Sequence, residues 1–179
     1  MALRVNHIFP ECFVDTNMMK TLLHLDGVNH QHSCSKVLRT MSTEKHKNGF
    51  AIGIIDDDKK KPSGYFDFVQ LSQIGHLRLM KHKNRMHYLI VVSKAAEDFI
   101  LSCANEMSIQ MTDYNLPSSL DDFKTITKKC ESDKEPRIKK LINAIKTSSE
   151  MARLERTLQY LQIHQFGVNE NALMAEFNK

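Results

Sequence analysis

Phe50–Lys61, FAIGIIDDDKKK, joins an apolar run directly to a block of six charged residues. A run of Phe, Ala and Ile with one Gly reads as a short strand buried on both faces. Three carboxylates follow at once, Asp56, Asp57 and Asp58, and then Lys59, Lys60, Lys61 and Pro62. Pro62 forbids much further regular structure. In an open α/β sheet, ligands sit beyond the carboxyl ends of the strands. Side chains i and i+2 of a strand share a face. Asp56 and Asp58 are therefore candidates to face one hard cation together, with Asp57 turned away. Mg2+ is usually held by one or two carboxylates plus waters and substrate phosphate. A solvated charged turn is the other reading, and the triplet alone leaves both open.

A chain of 179 residues, 41% hydrophobic and 26% charged, fits one globular domain, or one with a substantial appendage. No apolar run is long enough to cross a bilayer, so no membrane partner is expected. The N-terminal MALRVNHIFPE lacks the apolar stretch of a signal peptide. Cys12, Cys34, Cys103 and Cys130 are scattered, which argues against a disulfide framework and, with the N-terminus, for the cytoplasm. The net charge of +4 permits an anionic partner without demanding one.

Upstream of the acidic strand, Arg4–Val14 reads as a strand that Pro10 makes irregular or confines to an edge. Asp15 or Thr16 is the expected cap of a helix over roughly Asn17–Leu25. His30, His32 and Cys34 alternate, but no fourth ligand is near, so a polar loop into a helix at Ser35 is expected rather than zinc. His30 remains a candidate to line a site built elsewhere.

Downstream, Phe66–Ile74 reads as a short helix, and His76–Lys81 and His87–Ser93 as strands around a basic turn. Ala95–Met107 is a helix with Phe99, Ile100, Cys103 and Ala104 buried. Glu97 lies in its first turn, where it complements the helix dipole. If the two strands are neighbours, it also lies beside the end of the strand that Asp56 closes. Beyond the linker Tyr114–Ser119 the pattern is helical near Leu120–Lys129, Arg137–Lys146, Glu150–Ile163 and Asn169–Phe177. We read 117–179 as a helical appendage packed on an α/β domain over 1–113. Its lysines fit a solvated face better than a nucleic-acid surface.

Glu11-Cys12-Phe13-Val14-Asp15, after a strand and before a helix, resembles the first motif of Toprim (topoisomerase–primase) domains. That motif is a Glu, usually followed by Gly, with an Asp four positions on; here Cys12 takes the Gly position. Asp56-Asp57-Asp58 resembles the second motif, Asp-x-Asp. Ala96–Leu101 resembles a third acidic element of small Toprim-like proteins from bacterial defence and mobile-element systems. The resemblance covers about the first two-thirds of the chain.

It implies a small, mainly parallel sheet flanked by helices, and a Mg2+-dependent (or Mn2+-dependent) nuclease acting on DNA or RNA, in phage defence or a mobile element. Glu11 would be metal ligand or general base, with Asp56, Asp58 and Glu97 as metal residues. Lys59, Lys60, Lys81 and Lys83 would bind flanking phosphates, with Asp15 and His30 in support. The implied partner is nucleic acid, with a homodimer or a protein partner left open. The alternative is a non-catalytic nucleic-acid- or protein-binding regulatory module that keeps the fold.

Overall fold

The computed structural model describes residues 4–57 and 60–179. The chain runs β1 (Ile8–Pro10), α1 (Phe13–Leu22), α2 (Cys34–Met41), β2 (Ala51–Asp56), β3 (Phe68–Ile74), β4 (Leu77–His82), β5 (His87–Val92) and α3 (Ala96–Glu106). Then follow α4 (Leu120–Thr127), α5 (Pro136–Ile145), α6 (Ser149–His164) and α7 (Glu170–Asn178). No helix among the described residues is long and apolar enough to cross a membrane.

The five strands form one sheet in the order β1-β2-β5-β4-β3. β1 pairs parallel with β2, and β2 parallel with β5. β5 pairs antiparallel with β4, and β4 with β3. The α/β class holds, but the sheet is mixed rather than mainly parallel. The reason is local: β3, β4 and β5 follow one another through tight turns, and a tight turn joins only antiparallel strands.

Alternation along β2 sorts its side chains. Ile52 and Ile54 join the larger core with α1, α3 and the C-terminal helices. Ala51 and Ile55 face the smaller core under α2. Gly53 faces α2 as well. A Cβ there would lie 2.6 Å from Leu89 Cδ2 and 2.9 Å from both Met41 Sδ and Val37 Cγ1. Gly53 thus sets how closely α2 seats on the sheet.

Two segments depart from the sequence reading. Residues 68–74 are strand β3, not helix. Their pairing shifts between Gln70 and Ser72, an irregularity of the bulge type. The shift breaks the period of two, which leaves apolar spacings that mimic a helix. Gly75 (φ +56°) then opens the turn into β4, as a two-residue hairpin loop requires. Helix α1 starts at Phe13, four residues before the expected start, and the strand before it shrinks to Ile8–Pro10. β1 lies at the sheet edge, where Pro10 is tolerated.

The four C-terminal helices lie where their spacing predicts, and they pack on the sheet through a shared core. Phe123, Ile138, Leu141, Ile142, Leu154, Leu158 and Phe177 belong to one core cluster with Ile52, Tyr88 and Phe99. Glu150 of α6 also accepts hydrogen bonds from the backbone N–H of His76 (2.9 Å) and from its Nδ1 (2.7 Å), tying α6 to the β3–β4 turn.

Gly53→Ala should destabilise the protein by about 1–3 kcal/mol, because Val37 is stiff at χ1 and the core has no slack. Urea unfolding of both proteins measures this; an unchanged midpoint would mean that α2 is not seated by Gly53.

Candidate metal-binding site at the sheet edge

Parallel β1 and β2 end side by side, and their last residues place two acids together. The Glu11 backbone N–H donates to Ile54 O at 2.9 Å, one step beyond the last pair of the ladder. Its side chain turns back, and Oε2 accepts the Asp56 N–H at 3.1 Å. Asp56 lies on the same face of β2 as Ile52 and Ile54. Its Oδ1 accepts the Ala96 N–H at 3.1 Å, in the first turn of α3. One residue on, Glu97 accepts a short hydrogen bond from the Thr127 hydroxyl at the end of α4. Glu11, Asp56 and Glu97 are 4%, 8% and 8% exposed, so three acids from three elements are buried around one edge.

A second layer comes from the first turn of α1. Cys12 caps the helix in place of the expected Asp15 or Thr16. Asp15 N–H donates to its sulfur at 3.4 Å, and Asp15 Oδ2 accepts from the Cys12 thiol at 3.0 Å and the Cys12 N–H at 3.3 Å. Asp15 is fully buried. Its Oδ1 has no hydrogen-bond partner among the described residues. Burial pushes the Asp15 carboxyl up to about 7; the charges of Glu11 and Glu97 add to the rise and the Cys12 hydrogen bonds oppose it. Burial, and then Asp15 and Asp56, raise the Cys12 thiol well above its ordinary value.

A pocket of about 190 Å³ opens beside Glu11, Cys12 and Glu97, lined also by His30, Thr127 and Lys128 among others; Asp15 and Asp56 do not line it. His30 stacks on Phe13, with ring centroids 4.3 Å apart. Its Nδ1 lies 2.8 Å from Thr16 Oγ1 and its Nε2 3.2 Å from His32 Nδ1. Burial, and then His32, lower the His30 pKa. Thr127 and Lys128 were not legible as site residues. They arrive from the C-terminal helices, and nothing local in the sequence says which helix end folds back to Glu97.

The remaining sequence candidates divide. Asp58 and Lys59 lie outside the described residues. Asp57 turns to the other face, where Oδ2 meets Arg78 Nη2 at 3.1 Å and Oδ1 meets Lys61 Nζ at 3.3 Å. Lys60 is exposed just beyond. Lys81 and Lys83 are not brought to the acids. Lys81 pairs with Tyr88, which pairs with Ile52, so it sits toward the opposite edge of the sheet from Asp56. Lys81 is held there by Glu170 at 2.7 Å, and Lys83 by the Phe66 carbonyl at 2.9 Å. An antiparallel β4 carries its C-terminal lysines away from the edge where β2 ends. Cys34 is buried in the core under α2, and it does not form a ligand group with His30 and His32 among the described residues. Cys12 and Cys103 are in no disulfide, and the Cys130 side chain lies outside the described groups.

The Asp15 carboxyl carries a stability signature. With its pKa raised from 3.8 to about 7, the folded protein holds this proton more tightly than the unfolded chain does. The associated stability is full below the unfolded value and is lost as pH rises through about 7. Asp15→Asn keeps an acceptor for the Cys12 N–H and removes the titration. It should gain on the wild type between pH 5 and pH 8 by an amount on the order of 1–3 kcal/mol, read from melts across that range. Melting curves that stay parallel at every pH would show that Asp15 does not titrate there.

Comparison with protein families, with curated proteins and with solved structures gives no match, so the Toprim resemblance rests on the motif residues themselves.

Proposed function

We propose that the chain is a Mg2+-dependent nuclease of Toprim-like design, cleaving phosphodiester bonds in DNA or RNA. The observation that carries this reading is that Glu11 and Asp56 follow side by side at the ends of two parallel strands, with Glu97 in the first turn of the helix whose first N–H Asp56 takes. Their donors are hard carboxylate oxygens, the kind Mg2+ takes, and Asp58 follows two residues after Asp56. Asp56, Asp58 and Glu97 would hold the ion. When bound, Mg2+ neutralises the scissile phosphate and stabilises the leaving oxygen.

The chain's own residues do the rest. Glu11 lines the pocket and takes the proton of the attacking water. Lys128 is exposed on the pocket wall and meets a backbone phosphate, and the exposed Lys60 is a second candidate for that contact. The Thr127 hydroxyl fixes the Glu97 carboxylate through its hydrogen bond. The Ala96 N–H does the same for Asp56.

A second reading is a non-catalytic binding module. One observation favours it: Glu11, Asp56 and Glu97 each accept a hydrogen bond from within the protein, as acids with a purely structural task do.

Cleavage of single- and double-stranded DNA and RNA, measured against Mg2+ concentration, separates the two. Glu11→Gln and Asp56→Asn should each lower the rate at least about 100-fold, Asp56→Asn with weaker Mg2+ binding and Glu11→Gln without it. Asp57→Asn should lose little activity and at most about 1 kcal/mol of stability, the worth of its ion pairs. An Asp56→Asn protein that cleaves at the wild-type rate leaves only the binding module.

A further inference from the structure

Cys12 is a poor choice for the task it visibly performs. A helix N-cap wants a strong oxygen acceptor from Ser, Thr, Asp or Asn, and a thiol is a weak one. Cys12 Sγ, one Asp15 oxygen and one Asp56 oxygen all lie within 4.8 Å of one another. The fully buried Asp15 also has an oxygen, Oδ1, without a hydrogen-bond partner among the described residues. A buried carboxylate oxygen left without a partner is costly unless a ligand satisfies it.

We propose that Cys12, Asp15 and Asp56 form a binding site for a borderline-soft divalent cation of the Zn2+ class, held through sulfur. Donors around a tetrahedral zinc lie about 3.5 Å apart, so small side-chain movements bring these three onto one ion. A thiolate selects zinc over magnesium, which prefers oxygen alone. Three protein ligands leave a fourth position for water. Cys12 lines the pocket, which gives the ion a way in. Binding replaces the S–H bond with a metal–sulfur bond, and the thiol proton leaves to the buffer. Asp56 belongs both to this set and to the acidic edge, so the two ions compete for it.

The test uses Co2+ as a zinc surrogate on metal-free, reduced protein. One equivalent should produce the near-ultraviolet charge-transfer band of a cobalt–thiolate bond. Cys12→Ser should abolish the band and weaken Zn2+ binding by calorimetry at least about tenfold, the loss that even an outer-shell partner gives. Ser is a favoured N-cap, so the variant should fold, and a thermal melt checks it. Asp15→Asn keeps the sulfur and should weaken Zn2+ similarly. A band that survives Cys12→Ser belongs to another cysteine and overturns the proposal. Unchanged Zn2+ affinity in either variant also overturns it, by locating the ion on the His30–His32 pair or elsewhere. So does the absence of any Co2+ or Zn2+ binding. None of these readouts needs cleavage. A protein that binds Co2+ through Cys12 and cleaves nothing keeps this site and loses the nuclease. One that cleaves with Mg2+ and shows no band does the reverse.

Discussion

The Asp56 carboxylate joins the sheet to its helices. It ends β2, and its Oδ1 takes the Ala96 N–H in the first turn of α3. Its own N–H is taken by Glu11, which ends the structure of β1. Three elements far apart in sequence meet through two hydrogen bonds at one edge. A helix start leaves N–H groups without intrahelical partners, and an acid there satisfies one of them and complements the dipole. A buried acid needs donors. Each element supplies what the other lacks, so the acids can be buried at little cost and held in place.

That arrangement explains why part of the site was legible. Acids at the ends of apolar strands announce themselves: Phe50–Asp56 is an unbroken apolar run closed by carboxylates, and Glu11 follows a short apolar segment. Alternation also places Asp57 on the other face, where it meets Arg78. The C-terminal helices were legible because their apolar residues keep a helical period. The failures have equally local causes. The irregularity at Gln70–Ser72 destroys the period that marks a strand. Cys12 is not a residue that signals a helix start, so the sequence alone places the start of α1 too late. Lys81 and Lys83 looked available because the direction of β4, set by turns and pairing, is not written in their own neighbourhood.

The sheet also separates two kinds of charge handling. On the face of α1 and α3, acids are buried and accept hydrogen bonds from backbone N–H groups, a hydroxyl and a thiol, while Asp15 Oδ1 has no partner among the described residues. On the other face, Asp57 pairs with Arg78 and Lys61 in a partly exposed network that includes Tyr65. The first set is buried, and the second is held in ion pairs. Only the first keeps carboxylates within reach of a pocket.

The hydrogen bond from Thr127 to Glu97 has a consequence for modularity. A recombining gene can exchange a tail only where the junction crosses little buried surface and no shared polar group. Here the junction crosses the main core, and the tail supplies a hydroxyl to an acid of the pocket. A foreign helical segment grafted after residue 116 would have to match the apolar surface of α1 and α3 and also bring a donor to Glu97. Sheet and tail are therefore expected to be inherited as a unit, and to change by paired substitution across their contact rather than by shuffling.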